Sequence, residues 1–218
     1  MNDQAQAPEH PPEDWRTGAG RDRRARTRAK IVAAAFELLG SEHGLYTRIE
    51  DFAQAAGVSR PTFYNHFAGM EELREALSYE VTHDFLTAVT ETISANPDPC
   101  WRAATAIRFY LHRARTDQRW AWSMVNLSAN GLIFGAETYR QAERTVEEGM
   151  AAGVLAIPSS ALGRDLILGS TLAAIGAMLR QDLPEDYPEQ VAEHILLGLG
   201  VEPGVARDVS RAGLPAQA

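Results

Sequence analysis

The chain has 218 residues, 45% of them hydrophobic, and this composition is sufficient for one large or two small packed domains. A net charge of -8 argues at first sight against a nucleic-acid partner, because phosphate binding requires Lys and Arg. The single cysteine, Cys100, excludes an intrachain disulfide framework and a zinc site built on several thiolates. Cys100 is either a redox sensor or a small side chain near the start of a helix.

Neither export nor membrane insertion is expected. The first twenty residues mix acidic residues with prolines and glycines, and they lack the charged-then-apolar order of a signal peptide. The most apolar stretch, residues 166–179, is 14 residues long, whereas a membrane span needs about 20. A lone cysteine also fits a reducing compartment. The sequence therefore predicts a cytoplasmic protein without a membrane partner.

The charge is distributed unevenly along the chain. Residues 15–70 contain nine Lys or Arg against five Asp or Glu, whereas residues 71–218 contain twelve against twenty. A basic amino-terminal module on an acidic body indicates different partners for the two parts. Five arginines of the module either follow a DNA groove or form a solvated cluster: Arg21, Arg23, Arg24, Arg26 and Arg28.

The amino-terminal residues 1–22 are rich in Pro, Gly and acidic side chains, and this composition predicts a flexible arm. Apolar residues then recur at helical spacing from Ile31 to Leu39. Thr27 is placed to cap this first helix of about fifteen residues, and Gly44 closes the segment.

Two short helices joined by a glycine turn follow. Ile49, Phe52 and Ala53 predict a helix that ends at Gly57, a residue able to adopt the left-handed conformation of a sharp turn. A third helix follows, from Arg60 to about His66, capped by Ser59. These lengths fit a helix-turn-helix, although many helical hairpins share a glycine turn.

The rest of the chain predicts an all-α body. A long helix runs from residue 71 to about 94, and prolines at 97 and 99 end it. Helical segments are predicted at about 100–115, 118–130, 136–152, 160–181 and 188–200, and no alternating strand pattern competes with them. Residues 203–218 lack apolar periodicity and are predicted to form a flexible tail.

The segment from Ile31 to Leu73 resembles the amino-terminal domain of the TetR family of bacterial repressors. The matching residues keep the family's spacing: Ile31, Ala35, Leu39, Gly44, Ile49, Ala53, Ala56, Gly57, Val58, Ser59, Thr62, Phe63, Tyr64, Phe67 and Leu73. The resemblance implies a helix-turn-helix DNA-binding domain at residues 23–69. It also implies a larger effector-binding and dimerisation domain at residues 70–202.

The resemblance implies that the third helix reads DNA. Arg60 is suited to guanine, Asn65 to an adenine edge, and Pro61 and the methyl group of Thr62 to a thymine methyl. His66 is a further candidate on the same helix. Tyr64 is similar to a family tyrosine that reaches phosphate, and Arg48 and Ser59 stand where helix starts meet the DNA backbone.

One position departs from the family. A lysine that pairs with phosphate is common at the start of the fourth helix, and Met70 occupies that place here. Backbone N–H groups at this helix start can still meet phosphate.

The body is rich in aromatic residues, which suit either a ligand cavity or an ordinary core. The resemblance implies a cavity for a small organic effector enclosed by helices four to seven. Nine residues are candidates for its lining: Trp101, Phe109, Tyr110, His112, Arg113, Trp120, Trp122, Asn126 and Phe134.

A helix with rows of small residues is suited to close helix approach. Together with the last helix it resembles the family's four-helix dimer interface, although an intrachain core helix would show the same pattern. The predicted interface residues are Leu166, Gly169, Ser170, Ala173, Ala174, Ala177, Ile195, Leu196 and Leu199.

These observations predict a ligand-responsive repressor that binds double-stranded DNA as a homodimer on a palindromic site and is released by a small molecule. An enzyme is not expected, because the sequence has no nucleophile elbow, phosphate-binding glycine loop or paired metal-binding histidines. No cofactor or metal is predicted. The alternative is a helical ligand-binding or scaffolding protein without DNA binding, and Met70 favours it.

Overall fold

A computed structural model describes residues 14–130 and 134–216, and within these ranges it contains helices and no strand. The α-helices are α1 (Asp14–Leu39), α2 (Ile49–Ala55), α3 (Arg60–Tyr64), α4 (Met70–Ser94), α5 (Pro99–Thr116), α6 (Gln118–Leu127), α7 (Gly135–Ala151), α8 (Ser160–Met178), α9 (Tyr187–Gly198) and α10 (Pro203–Arg211). Short 3₁₀ turns lie at Gly44–Tyr46 and Ser128–Asn130. The all-α prediction is confirmed.

The amino-terminal helices α1 to α3 enclose a small core with the start of α4. Ile31 and Leu39 of α1 are fully buried against Phe52 and Phe63. Gly57 has φ of +66°, so it supplies the left-handed residue that the turn between α2 and α3 requires. Apolar side chains at helical spacing therefore hold α3 in place, with one side on the core and the other on the surface.

The first helix is longer than predicted. It begins at Asp14, so residues 14–22 of the predicted arm are helical, and residues 1–13 lie outside the described part. Thr27 is not a cap, because its hydroxyl donates to the carbonyl of Arg23 within the helix. Alanine and arginine favour helix, and this propensity extends α1 without apolar periodicity.

Gly44 does not close α1, which ends at Leu39. A Cβ atom at Gly44 would lie 2.7 Å from backbone atoms of Leu38 and Leu39. A larger residue would clash there, so glycine permits the chain to fold back closely against the end of α1.

Helix α5 lies at the centre of the body, packed by α4, α6, α7, α8, α9 and α10. A buried ion pair fastens one side of it, because Arg108 donates through Nε and Nη2 to Glu189 of α9 at 3.1 and 3.0 Å. Arg108 also donates to the carbonyl of Ala212 at 2.7 Å, just beyond α10. The last helices are thus tied directly to the centre of the body.

The predicted flexible tail is wrong for residues 203–211, which form α10. Glu202 caps the helix by accepting a hydrogen bond from the backbone N–H of Val205, and Pro203 occupies the first turn. The buried side of α10 carries Ala206 and Ser210, which are fully enclosed. Small residues make little apolar pattern, and this is why periodicity did not indicate the helix.

Helix α8 is the candidate membrane span found among the described residues, with a mean hydropathy of 1.3. It has the length and composition to cross a bilayer, but 44% of its apolar window is buried inside the fold. It packs against α5, α6, α7 and α9, as a core helix does.

Candidate DNA interface and ligand cavity

Helix α3 has one buried and one exposed side. Phe63 faces the core, whereas Arg60, Pro61 and Tyr64 are exposed. The Ser59 hydroxyl accepts a hydrogen bond from the backbone N–H of Thr62 at 3.2 Å, and the two hydroxyls lie 2.8 Å apart. The cap is therefore present as predicted, and it orients the first turn of the helix.

Arg60 is held on the surface by two neighbours. Its Nη1 lies 3.1 Å from a carboxylate oxygen of Glu50, and its guanidinium carbon lies 5.7 Å from the ring centre of Tyr64. Hydrogen bonding to Tyr64 and the charge of Glu50 raise the pKa of Arg60. Glu50 therefore competes with DNA for Nη1 of Arg60.

Basic residues of α1 lie beside the end of α3. Arg24 donates to the carbonyl of Asn65 at 3.2 Å, and Arg28 lies 5.0 Å from the ring centre of Phe67. Burial, followed by the charges of Arg24 and Arg28, lowers the pKa of His66. Burial and the two neighbouring arginines thus disfavour the charged form of His66.

An exposed aromatic residue precedes α2, where the sequence did not draw attention. Tyr46 is 78% exposed, which is unusual for a residue of its size. The backbone N–H of nearby Arg48 donates to Asp51 at 2.8 Å, and the Arg48 side chain is exposed. Tyr46 and Arg48 are thus exposed side chains just before α2.

Helix α4 begins with an uncharged residue, and two acidic residues follow it. Met70 is half-buried against the core, and Glu71 and Glu72 occupy the first turn. A carboxylate oxygen of Glu72 accepts a hydrogen bond from the backbone N–H of Ala68 at 2.6 Å. Carboxylates at this position interact favourably with the positive end of the helix dipole, but they repel an approaching phosphate.

A cavity of about 60 Å³ lies between α4, α5, α7 and α8. Most of its walls are apolar, and two of the nine candidate ligand residues, Tyr110 and Phe134, lie among them. Their ring centres are 5.0 Å apart. The hydroxyls of Tyr110 and Thr138 are hydrogen-bonded at 3.1 Å.

The other predicted ligand residues do not line this cavity. Arg113 lies over the rings of Phe85 and Trp120, so all three belong to the aromatic core. Phe109 is buried and Trp101 is half-buried, and neither reaches the cavity.

Three further predicted ligand residues serve other contacts. His112 Nε2 lies 3.1 Å from Glu189, and the Trp122 ring lies beneath Arg180. Asn126 donates to backbone carbonyls at the end of α1. Sequence spacing identified the aromatic region but not which helix faces turn toward the cavity.

The predicted dimer residues divide between the surface and the interior. Ala173 is exposed, and Leu166, Gly169, Ser170 and Ala177 are half-buried. The remaining four are buried within the chain: Ala174, Ile195, Leu196 and Leu199. They pack in the core because α8 and α9 also cover α5.

Leu162 was missed by the small-residue pattern. It is 50% exposed and lies one helical turn before Leu166 on the same side of α8 as Gly169 and Ala173. The α8 stripe consists of four residues: Leu162, Leu166, Gly169 and Ala173.

Cys100 is buried, and burial raises the pKa of its thiol to about 11. A thiol that stays protonated and enclosed is a poor nucleophile. Of the two alternatives for this residue, the structure favours the small packed side chain.

The sequence matches two family models. Residues 31–77 match bacterial regulatory proteins of the tetR family, and residues 98–212 match the tetracyclin repressor-like C-terminal domain. The chain is 32% identical over 90 residues to the HTH-type transcriptional regulator TcmR of Streptomyces glaucescens. That match spans 41% of this chain and 39% of TcmR.

Solved structures share the fold. RolR in complex with resorcinol superposes with a TM-score of 0.75 at 23% identity, covering 90% of this chain and 99% of RolR. SmeT, the repressor of a multidrug efflux pump of Stenotrophomonas maltophilia, superposes with a TM-score of 0.62 at 20% identity, covering 88% and 96%. Since the carboxy-terminal model alone matches more than half of the chain, the chain belongs to the tetR family of bacterial regulatory proteins, whose members are transcription factors rather than enzymes.

Proposed function

We propose that this protein is a cytoplasmic transcriptional repressor that binds a palindromic operator as a homodimer and leaves it when a small molecule occupies the body. The observation that carries this is the presentation of α3, with Phe63 anchored inside and Arg60, Pro61, Tyr64 and Asn65 exposed. Polar side chains on a rigidly anchored helix are what major-groove reading requires. The family supports the same role.

The proposed dimer forms through the α8 stripe. Its small residues permit close approach of a second α8, and Leu162 and Leu166 supply apolar area. A homodimer would set two copies of α3 in successive major grooves, about 34–36 Å apart. A monomer would present one.

The proposed effector site is the cavity bounded by α4, α5, α7 and α8. Resorcinol in RolR and the efflux-pump repressor SmeT support a small organic molecule as the class of ligand. Binding would favour a dimer state with the wrong spacing of α3, so that ligand and DNA oppose each other by linkage.

A gel shift on the DNA upstream of the protein's own gene tests the proposal. The rival, a helical ligand-binding protein without DNA binding, is favoured by Met70 and the acidic start of α4. A retarded band that unlabelled specific DNA competes away supports the repressor. Absence of any band with that DNA and with flanking promoters, at low salt, would support the rival.

Replacing Arg60 with alanine should weaken operator binding by about ten-fold to a hundred-fold for each half-site, because a bidentate contact to guanine contributes about 1–3 kcal/mol of discrimination. Fluorescence anisotropy with the operator and a scrambled duplex measures it. Arg144→Ala, at an exposed position of α7, is the matched control. Equal losses on both duplexes would show that Arg60 contacts phosphate and not a base.

Met70→Lys should tighten operator binding and steepen its salt dependence by up to about one unit of log–log slope for each protomer of the dimer, because one more phosphate contact releases about one more counterion. A titration of affinity against salt concentration measures the slope. Met178→Lys, at a half-buried position in the body, controls for the added net charge. An unchanged slope for Met70→Lys would place the start of α4 away from the DNA backbone.

A further inference from the structure

The charges around the cavity restrict what it can bind. Arg102 is the charged residue of its lining among the described residues, and this side chain is already committed. It forms an ion pair with Glu148 and donates to the carbonyl of Asn96 at 2.8 Å. An anion entering the cavity would therefore find no available cation to offset its lost hydration.

A buried cation is disfavoured by the complementary argument. Apart from Arg102, the described lining consists of apolar residues, Tyr110, Gln141 and four threonines, and it includes no carboxylate. A buried ammonium group without a carboxylate is strongly disfavoured. The interior is thus built for an uncharged molecule.

The route into the cavity also disfavours anions. Leu86, Thr90 and Gln141 line both the cavity and an outer cleft of about 240 Å³ between α4 and α7. Glu91 and Glu137 flank that cleft. Carboxylates at the mouth repel anions before they reach the interior.

One polar pair stands out inside the cavity. The Tyr110 and Thr138 hydroxyls bond to each other at 3.1 Å and are both buried. Burial raises the pKa of Tyr110 to about 12, so its hydroxyl remains a neutral donor. By contrast, the hydroxyls of Thr145 and Thr171 donate to carbonyls of their own helices.

We infer that the effector is a small, neutral, largely apolar molecule whose single hydroxyl group joins the Tyr110–Thr138 pair, and that it enters between α4 and α7. This inference rests on the proposed function only in treating the bound molecule as the effector of DNA binding. The cavity itself is compact, so a ligand larger than a few atoms extends toward the cleft by displacing Leu86, Thr90 or Gln141.

Calorimetric titration of the full chain with four probes of similar size tests the chemistry: phenol, toluene, benzoate and benzylammonium. We expect phenol to bind at least about ten-fold more tightly than either ion, since neither ion has a partner inside. We expect it to bind about five-fold more tightly than toluene, the value of one net hydrogen bond. Benzoate or benzylammonium binding as tightly as phenol would overturn the inference.

The double variant Tyr110→Phe and Thr138→Val keeps the shape of the wall and removes both hydroxyls of the pair. It should abolish the preference for phenol over toluene, whereas Thr145→Val should leave it unchanged because that hydroxyl is used within α7. Equal effects of the two variants would overturn the role of the pair.

Ala142→Leu should fill the cavity and remove phenol binding, and Ala151→Leu, at an exposed position on the same helix, should not. Thermal unfolding without probe shows that both variants fold. Retained binding in folded Ala142→Leu would overturn the location.

These titrations contain no DNA. Phenol binding with the expected variant effects would support the ligand class even if operator binding did not respond to phenol, in which case the proposed release mechanism fails. Operator release by benzoate but not phenol would overturn the ligand class and leave the release mechanism standing.

Discussion

Ala173→Glu should convert the proposed dimer to monomers and weaken operator binding by about 100-fold or more. Ala173 is the exposed small residue of the α8 stripe, and two copies of α8 in close contact would place two glutamates together in an apolar interface. Loss of the second α3 removes the gain of bivalent binding, which is about 100-fold to 10,000-fold. Sedimentation velocity measures the assembly, and anisotropy measures the affinity.

A matched control for this variant is Ala151→Glu, which adds the same charge at an exposed position of α7. It should leave both sedimentation and operator binding close to those of the unaltered chain. A dimeric Ala173→Glu protein would reject the α8 stripe as the interface. A monomeric variant that binds the operator as tightly as before would reject the dimer as the DNA-binding form.

The DNA-binding unit was predictable from the sequence because its structure is set locally. The apolar spacing from Ile31 to Leu39, the turn at Gly57 and the cap at Ser59 each follow from neighbours within a few residues, and each cap or turn that bounds α3 lies where it was expected. The exposed position of Tyr46 was not predictable, because it depends on how the turn after α1 folds back through Gly44.

The helices of the body could be predicted from the sequence, but which of their sides are exposed could not. Ile195, Leu196 and Leu199 were expected at a dimer interface, yet they are buried because α9 also packs on α5. The apolar pattern shows which side of a helix is covered, but it does not show whether the cover belongs to the same chain. Leu162 could have been found as an apolar residue outside the small-residue rows.

The cavity illustrates the same limit at the level of side chains. Tyr110 and Trp120 are both buried aromatic residues of the body, and their ring centres are 5.8 Å apart. Only Tyr110 reaches the cavity, because its helix α5 turns that face toward α7. No spacing rule separates a wall residue from a core residue when both are apolar and adjacent.

Asn126→Leu should weaken the link between the body and the DNA-binding unit. The Asn126 amide, 3% exposed on α6, donates to the carbonyls of Leu39 at 2.7 Å and Ser41 at 2.9 Å, at the end of α1. Leucine leaves both carbonyls without this donor, so the free energy of unfolding should fall by about 2 kcal/mol. Denaturant titration measures this loss.

Asn126 also lies on a helix that contacts both the cavity wall and α1. Tyr110 of the cavity wall packs against Trp120 of α6, and Asn126 connects the same helix to α1. If this path carries the coupling, Asn126→Leu should keep phenol binding while reducing the factor by which phenol weakens operator affinity. Anisotropy titrations with and without phenol measure that factor.

Ser123→Ala provides the control on the same helix. Ser123 is fully buried, and its hydroxyl has no hydrogen-bond partner within the described residues, so its removal should cost little stability. If Ser123→Ala lowers the stability and the phenol response as much as Asn126→Leu does, general disturbance of α6 explains both variants. A normal response in Ser123→Ala together with a reduced one in Asn126→Leu assigns the coupling to the two hydrogen bonds that Asn126 makes across the domain boundary.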